Sequence, residues 1–140
     1  MVCLGNICRS PLAQGIAENR SREENLDWEV DSAGTSAWHV GELPDRRSIE
    51  QARQNGIDIT NQRARQIQPS DLDDFDLILA MDTSNYNDIL SMVSDDVQRS
   101  KVRLILEYSH PGMNRAVPDP YYDGGFGKVF NLLTDAIRAI

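Results

Sequence analysis

Seven consecutive residues, Phe75-Asp76-Leu77-Ile78-Leu79-Ala80-Met81, are nearly continuous in apolar side chains. A strand of that composition buries both faces, and parallel sheets covered on both sides are where such strands belong. Parallel neighbours cannot be joined by hairpins, so crossover helices are required. The rest of the chain supplies the pieces. Val2 to Leu4 reads as the end of a first strand, followed by a loop and a helix that opens at Ser10-Pro11 and runs to about Arg20 or beyond. Trp28 to Ala33 alternates as a second strand, and Gly34-Thr35-Ser36 punctuates its end. Pro44 opens a helix through about Asn55, with Gly56 at the position of a left-handed cap. Ser84 to Val93 carries apolar residues at helical spacing, and Val102 to Leu106 is another short strand. A last helix from about Gly125 to Ile140 aligns Phe126, Val129, Phe130, Leu133, Ile137 and Ile140 on one stripe. The expectation is an α/β protein with an open parallel sheet and helices on both faces.

With 140 residues, no repeat and no linker, the chain is expected to form one domain over residues 1–140. Acidic side chains outnumber basic ones, 22 to 14, for a net charge of −8. That sign disfavours a phosphate backbone as partner, so no nucleic acid is expected. No apolar run is long enough for membrane insertion. Cys3 and Cys8 make no disulfide framework and the N-terminus lacks the pattern of a signal peptide, so a reducing, cytoplasmic setting is the default.

In open parallel sheets ligands bind beyond the carboxyl ends of the strands, where a loop feeds a helix. The segment Cys3 to Ser10 occupies that place. Its backbone amides, together with those of the following helix N-terminus, form a cradle suited to an oxyanion such as phosphate. Arg9 adds a planar fork that can hold two phosphate oxygens at once. The same field favours a thiolate at Cys3, to which Ser10 could donate a hydrogen bond. Read singly, a cysteine at a strand end such as Cys3 is more often a small core residue; strand, loop, arginine and helix start together favour chemistry.

Val2-Cys3-Leu4-Gly5-Asn6-Ile7-Cys8-Arg9-Ser10-Pro11 resembles the signature loop of the low-molecular-weight protein tyrosine phosphatases. Asp119-Pro120-Tyr121-Tyr122 resembles that family's second motif. Asp31-Ser32-Ala33-Gly34-Thr35, Trp38 with Gly41, Arg63-Ala64-Arg65-Gln66 and Ala80-Met81-Asp82 match between them, so the likeness spans the chain. It implies a flavodoxin-like four-stranded parallel sheet and a cofactor-free, metal-independent hydrolase acting on phosphotyrosine in a protein or peptide. Cys3 would be the nucleophile and Arg9 the oxyanion holder. Leu4, Gly5, Asn6, Ile7, Cys8 and Ser10 would complete the phosphate-binding loop, with Asn6 and Ser32 as its scaffold. Asp119, held extended by Pro120, would act as general acid and then as base. Trp38, Tyr121 and Tyr122 would wall a crevice deep enough to admit a phosphorylated phenol and exclude the shorter phosphoserine. For Cys8 two roles stay open, a reversible disulfide with Cys3 or a packed thiol.

The sequence departs from the family in two places. Only Met1 and Val2 precede the signature cysteine, where the family has several apolar residues. The first strand is therefore expected to be truncated, leaving backbone groups unpaired and a slot in the core; a shortened chain, a misplaced start and a native short form are the alternatives. Gln62 stands near a position that often carries a loop-supporting histidine. Among rival readings, an arsenate reductase of the same fold needs two further cysteines that are not present after Cys8. A phosphoarginine phosphatase tends to carry threonine where Ile7 stands. A non-catalytic phosphotyrosine-binding module would need neither Cys3 nor Asp119.

Overall fold

The computed structural model describes residues 1–140, and it contains a four-stranded, wholly parallel sheet. In chain order the elements are β1 (Val2–Cys3), α1 (Arg9–Glu23), β2 (Ala33–Gly34), α2 (Arg46–Gln54), α3 (Asp71–Asp74), β3 (Ile78–Ala80), α4 (Thr83–Leu90), α5 (Asp96–Ser100), β4 (Val102–Leu104), a 3-10 turn (Ile105–Glu107) and α6 (Phe126–Arg138). The strand order is β2-β1-β3-β4, the flavodoxin-like arrangement. The chain therefore reverses its winding next to β1. No helix is long and apolar enough to cross a membrane.

The apolar run at β3 does what its composition requires. Ile78 and Ala80 point into one core layer with Val2, Ala33, Leu72, Ile89, Val102 and Leu104, while Leu79 and Met81 point into the other. That second layer is larger, and α1 and α6 supply most of it through Leu12, Ala13, Ile16, Val129, Phe130, Leu133 and Ile137. Alternation of side chains along the strand thus divides the interior into two layers, each covered by helices. At Gly15 α1 packs directly against Ile57 and Ile59. A Cβ there would lie 2.6 Å from Ile59 Cγ2.

Several boundaries differ from those expected. α1 begins at Arg9 instead of at Ser10-Pro11, with Cys8 in the capping position and no side-chain cap. Ser10 is not the N-cap because its hydroxyl is engaged with Cys3. Pro44 does not open α2; Asp45 does, and its carboxylate accepts from the Arg47 amide at 2.8 Å. Gly56 adopts the expected left-handed conformation, φ +74°. The short helices α3 and α5 were not foreseen. Both lie in acidic, polar segments that carry no helical stripe of apolar residues long enough to read.

The strands are shorter than expected for a physical reason. β1 has two residues, and Val2 pairs with Ala33 on one side and Ala80 on the other. Trp28 to Ser32, and Phe75 to Leu77, therefore lie ahead of the start of β1 and form no ladder. The backbone N–H and C=O groups of Trp28, Glu29, Val30, Asp76 and Leu77 make no hydrogen bond within the protein. Between them lies a cleft of about 550 Å³ lined by Met1, Trp28, Val30, Leu77 and Ile140 among others. The Met1 ammonium donates to the Asp31 carbonyl at its floor (3.1 Å), and burial pulls its pKa down to about 6.

Candidate active site

The loop from Leu4 to Cys8 leaves β1 and runs directly into the N-terminus of α1. Its geometry depends on Asn6, which has φ +57° and is only 2% exposed. An asparagine tolerates that conformation better than most residues, and here its side chain is used in full. The Asn6 amide group donates to Ser10 Oγ (2.8 Å) and Ser32 Oγ (3.0 Å), and its carbonyl oxygen accepts from the Arg65 amide (3.0 Å). The Ser32 hydroxyl in turn donates to Gln14 Oε1 at 2.6 Å. The Ser10 oxygen already accepts from Asn6, so its hydrogen is free for Cys3 Sγ, 3.0 Å away. Four residues from three parts of the chain thus aim one hydroxyl donor at one sulfur.

The backbone of the same loop is open. None of the N–H groups from Leu4 to Ser10 donates to a protein acceptor. Its carbonyls are held instead: Cys3 and Leu4 accept from the amides of Thr35 and Ser36, and Ile7 accepts from Asp45 at 2.7 Å. Gly34 lies directly beneath, where a Cβ would come within 2.8 Å of the Leu4 carbonyl oxygen. Only glycine permits that approach.

Arg9 extends from the first turn of α1 and is almost fully buried. Its Nη1 donates to Asp82 Oδ2 (2.7 Å) and to the Val117 carbonyl (3.0 Å), while Nη2 lies 3.8 Å from Asp119 Oδ2. The carboxyl end of β3, the start of α1 and the segment before α6 therefore meet at one guanidinium. Asp119 is half-exposed, and its other oxygen accepts from the Tyr121 amide at 3.1 Å. Trp38, Tyr121 and Tyr122 are all exposed on loops, and the two tyrosine rings meet edge-to-face at 5.0 Å. The structure joins Cys3, Ser10, Asn6 and Ser32 in one hydrogen-bond network and Arg9, Asp82 and Asp119 in a second polar cluster; the rings of Trp38, Tyr121 and Tyr122 take part in neither.

Cys3 and Cys8 are both buried free thiols. Burial, and after it the Asp45 carboxylate, pushes the Cys8 thiol up to about 12. The position near the family's histidine takes no part in the loop network. Gln62 donates to the Pro11 carbonyl at 3.1 Å, its Oε1 is buried without a partner, and Asn6 is satisfied without it. No three His, Cys, Asp or Glu side chains stand close enough together to hold a metal ion.

Asp82 belongs to the Arg9 cluster, and Gln14 and Arg65 to the network around Asn6, but none of the three is a candidate site residue from the sequence. Asp82 did carry a readable signal: it is an acidic residue at the carboxyl end of the most buried strand, directly before a helix, where its Oδ1 accepts from the Asn85 amide at 2.8 Å. Arg65 stood within the matched stretch Arg63-Ala64-Arg65-Gln66 but with no role attached, and Gln14 carried no signal, since their roles arise from the packing of α1 and of residues 63–67 against the loop.

Fold and site together define a flavodoxin-like α/β domain with a cysteine at the carboxyl end of its central strand and an arginine one loop further on. The family model for low molecular weight phosphotyrosine protein phosphatase matches residues 1–140, and the chain belongs to that family. A relative from Schizosaccharomyces pombe, named low molecular weight phosphotyrosine protein phosphatase, is 45% identical over 139 residues, covering 96% of this chain and 88% of its own length. The crystal structure of YfkJ from Bacillus subtilis aligns with a TM-score of 0.92 at 38% identity, over 99% of this chain and 87% of that one. A drosophila arginine phosphatase aligns with a TM-score of 0.91 at 34% identity, over 99% of this chain and 91% of that one.

Proposed function

We propose that residues 1–140 act as one domain that hydrolyses phosphotyrosine in proteins or peptides, and other aryl phosphates, through a cysteinyl-phosphate intermediate. The observation that carries this reading is the loop itself: unpartnered amides from Leu4 to Ser10 around a sulfur that receives the Ser10 hydroxyl, with Arg9 at the far end. Those amides and the Arg9 fork would neutralise the oxygens of the transferring phosphoryl group, where most of the catalytic stabilisation of such a reaction lies.

The Cys3 thiolate attacks phosphorus; a P–S bond forms as the ester P–O bond breaks. Asp119 gives its proton to the departing phenolate oxygen. Asp119, now a carboxylate, takes a proton from a water that attacks phosphorus, and the P–S bond breaks to release phosphate and the thiolate. Both steps use one carboxyl group in alternating protonation states. Ile7, apolar on the loop, and the exposed Trp38, Tyr121 and Tyr122 favour an aromatic substrate over phosphoarginine. Free, buried thiols agree with a reducing, cytoplasmic compartment.

The test is steady-state hydrolysis of matched peptides carrying phosphotyrosine, phosphoserine or phosphoarginine, with a chelator present. Turnover of the phosphotyrosine peptide alone is expected. A folded protein that binds phosphate but hydrolyses none of the three refutes the enzymatic reading, and preferential turnover of phosphoarginine refutes the substrate assignment.

A further inference from the structure

The segment that carries Asp119 is weakly tied to the rest of the protein. From Pro118 to Gly125 its hydrogen bonds are internal, such as Gly124 to the Pro120 carbonyl and Gly125 to Asp123, or run on into α6, whose Phe126 and Val129 amides donate to the Gly124 and Gly125 carbonyls, with one exception. That exception is Arg47, whose Nη1 donates to the Tyr121 carbonyl at 3.0 Å. The guanidinium is itself fixed. Its Nε and Nη2 lie 3.0 Å from the two oxygens of Asp45, and its face covers Phe126 at 4.7 Å and Tyr121 at 5.3 Å. Asp45 in turn is part of the wall of the anion loop, because its amide donates to the Ile7 carbonyl; Ser48, one residue beyond Arg47, donates to the Cys8 carbonyl at 3.2 Å.

We propose that Arg47 is a positioning residue for the general acid: it clamps Tyr121, whose amide holds the Asp119 carboxylate, to the same helix N-terminus that braces the loop carrying Cys3. The chain of contacts runs Ile7 to Asp45, Asp45 to Arg47, Arg47 to the Tyr121 carbonyl, and the Tyr121 amide to Asp119 Oδ1. Its effect is to fix the distance between the proton donor and the sulfur that attacks from the other side of phosphorus. Arg47 touches neither, which distinguishes it from Arg9. This assignment rests on the phosphatase reading given above.

The experiment compares kcat/KM for phenyl phosphate, whose departing oxygen needs a proton, with that for 2,4-dinitrophenyl phosphate, whose departing oxygen does not. Arg47→Met keeps the stem and the backbone cap of α2 and removes the clamp. It is expected to lower kcat/KM for phenyl phosphate about tenfold and for the dinitrophenyl ester less than twofold. Inhibition by inorganic phosphate should be unchanged, Arg47→Lys should recover most of the loss, and Arg47→Met should add nothing in an Asp119→Ala background. Equal losses on both esters, or no loss, overturn the positioning role while leaving the phosphatase reading intact. A wild type that hydrolyses neither ester overturns both.

Discussion

The guanidinium of Arg9 is pinned by Asp82, 2.7 Å from Nη1, so that one arm is committed to the protein while the other lies 3.8 Å from Asp119 Oδ2. An unpaired buried arginine would be costly, and breaking a buried ion pair from one side typically destabilises by ~3–5 kcal/mol. Asp82→Ala also removes the cap of α4, worth ~1 kcal/mol, and is expected to lose several kcal/mol in urea unfolding. Asp82→Asn keeps an acceptor for Asn85 and should lose less. Arg9→Lys keeps the charge but not the fork; kcat is expected to fall ~10²-fold or more with the fold retained. Near-wild-type turnover in Arg9→Lys would contradict the role given to that fork.

Gly34 underlies the loop with no room for a side chain. Its missing Cβ would meet the Leu4 carbonyl at 2.8 Å, the Gly5 carbonyl carbon at 3.1 Å and the Asn6 amide nitrogen at 3.2 Å. All three contacts are backbone, so no rotamer change relieves them. Gly34→Ala is expected to cost ~1–3 kcal/mol, the range for overpacking, and to displace the loop enough to lower kcat by more than tenfold. The comparison is Gly15→Ala, where the neighbours are side-chain methyl groups of Ile57 and Ile59; it should destabilise without a comparable loss of turnover in the folded protein.

Asn6 combines a positive φ with three hydrogen bonds, and two substitutions separate these. Asn6→Gly relieves the backbone and deletes the bonds; Asn6→Ala deletes the bonds and leaves a strained residue, a further ~1–2 kcal/mol in left-handed conformation. Both should lose roughly tenfold in kcat/KM, because the Ser10 hydroxyl is no longer oriented toward Cys3. Only Asn6→Ala should show the added loss of stability. Full activity in Asn6→Gly would show that the side-chain network is dispensable.

The loop and its helix were legible in the sequence because they are local: residues 3 to 11 bring nucleophile, arginine and helix start together without any long-range contact. Asp119 was legible only through resemblance, since nothing within residues 117–123 says that Arg9 lies beside it. The parallel sheet followed from the apolar run at β3 and the alternation of elements, and its four-stranded flavodoxin-like form from the family resemblance, but the strand ends followed from neither. Trp28 to Ser32 has the composition of a strand and forms no ladder, because in the parallel register of Val2 with Ala33 it lies ahead of the start of β1. Asp45 and Arg47 read as an ordinary helix start, and their link to the acid loop exists only because α2 packs beside residues 121–126.

Cys8 makes a pH-dependent prediction. Its thiol ionises near 12 in the folded protein, against 9.0 for an unperturbed group, with burial as the main cause. The unfolded chain loses this proton first, so above about pH 9 it binds fewer protons than the native state and stability falls as pH rises. In native protein at pH 8, iodoacetamide should leave Cys8 unlabelled over a period that labels it fully in urea, read by peptide mass spectrometry. Cys8→Ala should flatten the alkaline fall in stability. Rapid labelling of Cys8 in the native state would contradict its assignment as a buried, protonated thiol.

In the proposed reaction Cys3 takes the phosphoryl group from substrate. Rapid acid quench during turnover of an aryl phosphate, followed by peptide mass spectrometry, tests it directly. One phosphoryl group on the peptide containing Cys3 and none elsewhere is the predicted result, with accumulation increased in Asp119→Ala when a good leaving group is used and absent in Cys3→Ser. Turnover without any Cys3 adduct, or full activity in Cys3→Ser, would contradict the account.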